Sequence, residues 1–326
     1  MTETTMTYRF LGNTGLLVSK LSLGSWMFYD TTEPRYTADN WYKMVKTAFA
    51  HGINLFDNAE NYAYGRSEEI MGSAIKRGIE DGIWSREDLV VTTKIFVGSK
   101  GFMEGGPNDQ GLSRKHIVEG IKASLKRLQL DNVDVVFCHR ADAFTPIEET
   151  VRAMNFVIEQ GWAHYWGTSE WLASDIQEAC EIADRLGLIR PVAEQPQYSV
   201  FDRNKVDFEF VDLYKKYKLG LTHVVTPVFR CAVWQRVKIA DNIKPIAAEL
   251  GCSLPQLAIA WCASNEHVST VLVGASRPEQ LEENLKALSF IDKITPEVKA
   301  KIDGVVNFVP TVPVADVLVT LRGRFL

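Results

Sequence analysis

Basic residues do not dominate this chain. Its 36 lysines and arginines stand against 41 aspartates and glutamates, a formal net charge of −5. A nucleic-acid binder needs a basic face, so that class is disfavoured. Cysteine is scarce and odd in number: Cys138, Cys180, Cys231, Cys252 and Cys262 include no Cys-x-x-Cys pair. Neither a disulfide framework nor a zinc ribbon is indicated, and a reducing compartment fits better. The six histidines show no His-x-His or His-Glu-x-x-His spacing, so no metal site is expected. The absence of a Gly-x-Ser-x-Gly elbow disfavours a serine hydrolase. No Gly-x-Gly-x-x-Gly follows the first apolar run, so the fingerprint of a doubly wound dinucleotide fold is missing. The first residues carry no basic segment followed by an apolar one, as a signal peptide would. The apolar stretch 305–319 is broken by Pro310, Pro313 and Asp316, which denies it the roughly 20 apolar residues of a spanning helix. A cytoplasmic protein that does not span a membrane is expected.

What is present is an alternation. Hydrophobic residues make up 46% of the 326, enough to bury a large core. An opening segment, 7–20, reads as a hairpin: residues 8–11, a turn at Asn13-Thr14-Gly15, then 16–19. Eight short apolar runs follow, at 21–23, 53–56, 89–93, 133–138, 163–168, 191–194, 219–225 and 270–273. They lack strict alternation, as strands buried on both faces do. Between them lie amphipathic patterns such as Ile117/Ile121/Leu125/Leu128 and Ile147/Val151/Met154/Ile158. Thr145-Pro-Ile-Glu148, Ser253-Leu-Pro-Gln256 and Ser276-Arg-Pro-Glu279 read as capping boxes that start helices. Gly161 and Gly187 stand where helices should stop. The pattern predicts an α/β fold: a single (β/α)8 TIM barrel over residues 1–326 with an N-terminal β-hairpin.

In such a barrel, chemistry sits at the C-terminal ends of the strands. Five consecutive runs end in polar groups: Asp57 to Tyr62, Thr92-Thr93-Lys94, His139-Arg140, Thr168-Ser169 and Glu194-Gln195. Taken singly, each has an ordinary reading as a cap, a rim residue or a solvated loop residue. Their convergence on one barrel mouth argues for a site.

Asp57-x-Ala-x-x-Tyr62, Thr-Thr-Lys94, His139-Arg-x-Asp142, Gly167-Thr-Ser169 and Glu194-Gln195, in this order, resemble the aldo-keto reductase superfamily. Gly111-Leu-Ser-Arg-Lys-His-Ile117, Lys122-Ala-Ser-Leu-Lys-Arg-Leu128, Tyr165-Trp-Gly-Thr-Ser169, Leu254-Pro-Gln-Leu-Ala-Ile-Ala-Trp261 and Leu272-Val-Gly-Ala-Ser276 resemble its voltage-gated potassium channel β-subunit branch and the fungal and plant relatives. The resemblance runs from Tyr8 to about Asp303 and implies a catalytic tetrad at Asp57, Tyr62, Lys94 and His139. A free tyrosine titrates near 10, so Lys94 is expected to lower the value of Tyr62, the general acid, while Asp57 holds Lys94. His139 would stabilise charge on the substrate oxygen. Channel-associated members carry asparagine there, and histidine is nearer the enzymatic pattern.

The resemblance also implies a nicotinamide dinucleotide. Ser169 and Gln195 fall at its nicotinamide end, Gly274, Ser276, Arg277, Gln280, Glu283 and Asn284 at its adenosine-phosphate end, and Ser25, Trp26 and Asp57 are further expected cofactor contacts. Arg277 suits a 2′-phosphate, which favours NADP (NADPH). Trp26, Tyr62 and Trp171 suggest an aromatic-walled pocket for a small-molecule carbonyl substrate, although Trp26 and Trp171 also read as core residues.

The chain departs from the pattern after the seventh run. Relatives follow it with Trp-Ser-Pro-Leu and a long loop that closes over the pyrophosphate. Here only Thr226-Pro227 matches, and the next helix begins almost at once. Arg230, Arg236 and Lys238 read either as phosphate contacts or as a solvated patch. The tail, 308–326, is also unlike the family. The expected function is an NADP-dependent oxidoreductase acting on aldehydes or ketones. The alternatives are a regulatory β subunit of a cation (potassium) channel or a catalytically impaired relative. A channel α subunit and a homo-oligomer are the partners the resemblance implies.

Overall fold

The computed structural model describes residues 6–26, 37–224 and 233–326. β1 (Tyr8–Phe10) and β2 (Leu17–Ser19) pair antiparallel, with Tyr8 opposite Ser19 and Phe10 opposite Leu17. Eight parallel strands then close into a barrel: β3 (Leu21–Gly24), β4 (Leu55–Asp57), β5 (Val90–Ile95), β6 (Val133–Cys138), β7 (Ala163–Thr168), β8 (Ala193–Glu194), β9 (Gly220–Val224) and β10 (Val268–Val273). Closure comes from β10, which pairs with both β3 and β9. The eight runs read from the sequence are these strands. Every residue of β5 and β10 is buried, which is why their sequences do not alternate. The strand expected over 191–194 shrinks to two residues, Ala193–Glu194; Pro191 has no N–H to extend the ladder, while Val192 still bonds to Trp166 O and Gly220 N–H at its edge.

Helices wrap the barrel: α1 (Ala38–Ala50), α2 (Arg66–Glu80), α3 (Arg114–Leu128), α4 (Ile147–Glu159), α5 (Ala173–Leu186), α6 (Val211–Tyr217), α7 (Val233–Leu250), α8 (Leu254–Ala263), α9 (Pro278–Leu285) and α10 (Pro296–Val306). The cap at Ser253 forms as expected, its hydroxyl accepting from the Gln256 N–H while the Gln256 side chain returns to Ser253 N–H. Two others do not form. Pro146 and Arg277 occupy the cap positions of α4 and α9 without side-chain bonds. The Thr145 hydroxyl instead donates to Asp142, and Ser276 bonds to Gln280. The Thr145 oxygen accepts from the Arg322 guanidinium, and the Gln280 side chain reaches back to Ser276, so neither hydroxyl caps its helix. Gly187 ends α5 in the left-handed region as read.

Leu55, Val90, Val135, Phe137, Ala193 and Leu272 pack with Leu11 and Val18 of the hairpin in one apolar cluster. The hairpin thereby plugs the N-terminal end of the barrel. Gly12 makes this approach possible: its φ is +57°, and a Cβ there would stand 2.5 Å from both Gly220 N and Val192 O. Arg9 secures the plug through the carbonyls of Asn265, Glu266 and Val268.

At the opposite end lies the tail. Asn204 holds Thr311 by two reciprocal bonds of 2.8 Å, and Ala143 N–H donates to Val319 O. A run of 3-10 turns, Val317–Phe325, then crosses the loops after β5 and β6. Among the described residues no single helix is long and apolar enough to cross a membrane.

Candidate active site

Asp57 ends β4 and Lys94 lies within β5, one strand over, with Asp57 in register with Thr92. Side chains alternate along a strand, so Thr92 and Lys94 share the inner face while Thr93 turns outward to Glu68. The buried Lys94 ammonium donates to the Asp57 carboxylate, to Asn58 O at 2.7 Å and to the Tyr62 hydroxyl at 3.1 Å. Asp57 also accepts from Thr92 Oγ1 at 2.6 Å and Gln195 Nε2 at 3.2 Å. Tyr62 opens a tight turn, Tyr62–Gly65, in which Ala63 and Tyr64 adopt φ of 49° and 56°. Non-glycine residues rarely take this conformation, and here it aims the phenol back over Lys94. His139 follows β6, its ring edge-on to Tyr62 with centroids 5.8 Å apart.

These residues open on a cavity of about 180 Å³, lined by Tyr62, His139, Arg140, Trp26, Phe102 and Leu318, with Ser169 and Gln195 in its wall. Four strand ends and two loops that are distant in sequence meet there. Behind them, Glu60 accepts from the N–H groups of Phe96 and Gly98 at 2.7 and 2.8 Å and pairs with His116, which shapes the loop after β5. Gly167 leaves room in the wall, since a Cβ there would sit 2.5 Å from Ala193 O.

Burial dominates the electrostatics. It pushes the Tyr62 phenol above its ordinary value, and the Lys94 ammonium only partly offsets this. The expected net lowering of Tyr62 is therefore reversed, because a phenolate enclosed in protein loses more hydration than one cation returns. Burial alone would depress Lys94, but Asp57 and Tyr62 override it and hold the ammonium above its usual range. His139 is held well below the ordinary histidine value by burial, then by the Arg140 and Lys94 cations, so its ring is neutral.

The residues read as cofactor contacts separate into two groups. Ser169, Gln195 and Trp26 line the cavity, and Ser25 lies beneath it, its hydroxyl donating to Asp57 O at 2.9 Å. Gly274, Ser276, Arg277, Gln280, Glu283 and Asn284 lie along the end of β10 and α9, outside that lining. There Gln256 donates to Glu283, Asn284 to Gly274 O, and Arg277 is exposed with no ion pair among the described residues. Both groups fit a dinucleotide. The cavity end offers an amide and a hydroxyl, and the outer end an unpaired guanidinium at a helix start.

Two readings are decided. Trp171 is buried away from this cavity and lines another hollow between the tail and α5. Arg236 is not free for phosphate, since it forks onto Asp202 at 2.8 and 2.9 Å, while Lys238 is exposed. Thr226, Pro227 and Arg230 lie outside the described residues. Arg140 is expected only as a polar strand end with no assigned role, and Leu318 is not expected at the site. Arg140 was visible inside the His139-Arg-x-Asp142 motif, but nothing in the sequence brings residue 318 to a strand end.

The pattern of the Aldo/keto reductase family matches residues 20–307. A probable voltage-gated potassium channel subunit beta of Arabidopsis thaliana is 48% identical, covering 94% of this chain and 99% of its own length. One from Oryza sativa is likewise 48% identical, over 94% and 98%. A putative voltage-gated potassium channel subunit beta of Schizosaccharomyces pombe is 42% identical, over 93% and 94%. NAD(P)H is the cofactor general to the matching family. A closed barrel, a buried lysine–carboxylate–tyrosine cluster at its mouth and a match over most of the chain agree: the protein belongs to the aldo/keto reductase family.

Proposed function

We propose that the chain reduces aldehyde or ketone groups of small molecules with NADPH. The observation that carries this reading is the Lys94 ammonium, fixed between Asp57 and Tyr62 at the floor of a cavity sized for a small carbonyl. Because Lys94 donates to the Tyr62 oxygen, the phenolic proton is free to point into the cavity. The raised value of Tyr62 keeps that proton in place at neutral pH. As negative charge develops on the carbonyl oxygen, Tyr62 transfers its proton there, and Lys94 stabilises the phenolate left behind. Neutral His139 donates a hydrogen bond to the same oxygen. A nicotinamide bound beside Ser169 and Gln195 supplies the two-electron reduction of the carbonyl carbon, and Arg277 reads the 2′-phosphate that distinguishes NADPH from NADH.

Tyr62→Phe tests the assignment. Losing a general acid costs about 10²–10⁴ in kcat, and NADPH binding followed by fluorescence persists. Activity within a few-fold of the parent overturns it. The short segment after β9 adds an expectation of fast NADPH release, since a lid acts mainly on dissociation. Stopped-flow release that is slow enough to limit turnover contradicts this.

The names of the relatives favour a second reading, a regulatory β subunit of a potassium channel in the cytoplasm. Co-purification with a channel pore subunit that survives Tyr62→Phe supports it, and failure to associate removes it.

A further inference from the structure

Arg140 stands directly after His139 and lines the same cavity. Its Nη1 donates to His139 O at 2.5 Å and reaches Ser169 Oγ at 3.5 Å. The other edge of the guanidinium is different. Nε is buried without a hydrogen bond, and Nη2 makes none among the described residues. What faces Nε is Asp316 Oδ2 at 3.3 Å, close enough for charge attraction but not aligned as a hydrogen bond. The Nε–Nη2 edge is the geometry that takes a carboxylate side-on through two parallel N–H groups.

Among the described residues, the other acidic groups near the cavity belong to the barrel and its loops. Asp57 holds Lys94. Glu170 accepts from Gln197 N–H and faces Lys205 at 3.5 Å. Asp142 accepts from Leu112, Phe144, Thr145 and Arg322. Asp316 differs because it rides on the tail. Its other oxygen caps the turn by accepting from Leu318 N–H, and Leu318 enters the cavity two residues later. The neighbouring Val312, Val314 and Val317 are each more than 70% exposed, so Asp316 is the inward point of an outward-facing stretch.

We propose that Arg140 is the anchor for an anionic group, a carboxylate, carried by the carbonyl substrate, and that Asp316 occupies this anchor in the free chain. This rests on the reductase reading and names its substrate class. A substrate carboxylate replaces an existing carboxylate rather than entering an apolar site, so no new buried charge is created. The arriving group gains the two aligned hydrogen bonds that Asp316 does not make, while Asp316 returns to water with the tail. A neutral carbonyl compound of equal size gains neither.

The test compares 4-oxobutanoate with its methyl ester, which differ in charge at one end, as substrates for the full chain with NADPH. In the parent, kcat/KM favours the acid. Arg140→Gln lowers the acid-to-ester ratio by about tenfold or more, the scale of a lost charge-assisted pair. Asp316→Asn, a change on the tail, raises the ratio several-fold by removing the competing carboxylate. A ratio that is the same in all three proteins overturns the proposal, as does an Asp316→Asn variant that speeds both substrates equally. If neither aldehyde is reduced, the reductase reading fails, and calorimetric titration with succinate decides the anchor alone. Binding weakened by Arg140→Gln and tightened by Asp316→Asn supports it, and equal affinity in all three overturns it.

Discussion

The floor and the roof of the cavity are made from different kinds of chain. The floor consists of β4, β5 and β6, whose ends carry Asp57, Lys94 and His139 inside a closed hydrogen-bonded barrel. Lys94 is fully buried there and holds three partners at once. The roof consists of the tail, which pairs with no strand. It is held at points: Asn204 to Thr311, Arg322 to Asp142 and Thr145, and Arg324 to Gly105 O and Gln110. The fixed distances of the floor lie within the cooperative unit, whereas the tail is attached at separate points.

Breaking the floor should unfold the molecule. Lys94→Met leaves the Asp57 carboxylate buried without its cation, at a cost of about 3–5 kcal/mol. Urea unfolding should show this as a lower midpoint with unchanged slope, and Asp57→Leu added to it should restore part of the loss. A midpoint equal to the parent's contradicts the picture of a tightly coupled floor.

The floor also predicts a pH dependence. His139 is neutral when folded and has a value well below the unfolded one, so the unfolded chain takes up its proton first. The stability it contributes is intact above about pH 7 and declines as pH falls through about 6.5, by at most ~1.4 kcal/mol per pH unit. Buried His223, pushed down to about 3, acts in the same direction, while Glu194, raised to about 7, acts oppositely. The difference between parent and His139→Asn in urea titrations at pH 7 and pH 5 isolates His139. A variant with the parent's pH slope contradicts its neutral, buried state.

The rim after β10 sharpens the contrast, because it is neither buried nor latched. Arg277 is exposed, so water weakens any contact it makes, and Arg277→Ala should cost NADPH about 1 kcal/mol relative to NADH. Equal weakening of both cofactors shows that it does not read the 2′-phosphate. The smallest global effect belongs to the roof. Asn204→Ala, which releases the exposed contacts to Thr311, should leave the melting temperature nearly unchanged while hydrogen exchange quickens across residues 309–326. Global destabilisation equal to that of Lys94→Met would make the tail part of the core.

The strands and the floor were legible because their signals are local. Buried parallel strands require apolar runs, and the residue types of Asp57, Tyr62, Lys94 and His139 recur in order at strand ends. The caps at Thr145 and Ser276 misled because the Arg322 guanidinium of the tail and the Gln280 side chain engage these hydroxyls, contacts that no helix pattern reveals. Tyr62 misled in electrostatics, since its lysine neighbour was visible in the motif but the depth of its burial was not.

The sequence by itself determined the barrel strands and the hairpin, which follow from periodicity and turn residues within a few positions, and its resemblance to a family named the residues of the floor. Only the tertiary structure decided that Trp171 leaves the cavity, that Arg236 belongs to Asp202, and that residue 316 meets residue 140. Those outcomes depend on which side chains a closed barrel and a returning tail bring within about 4 Å. Contacts between residues so far apart in sequence leave no periodic trace along the chain.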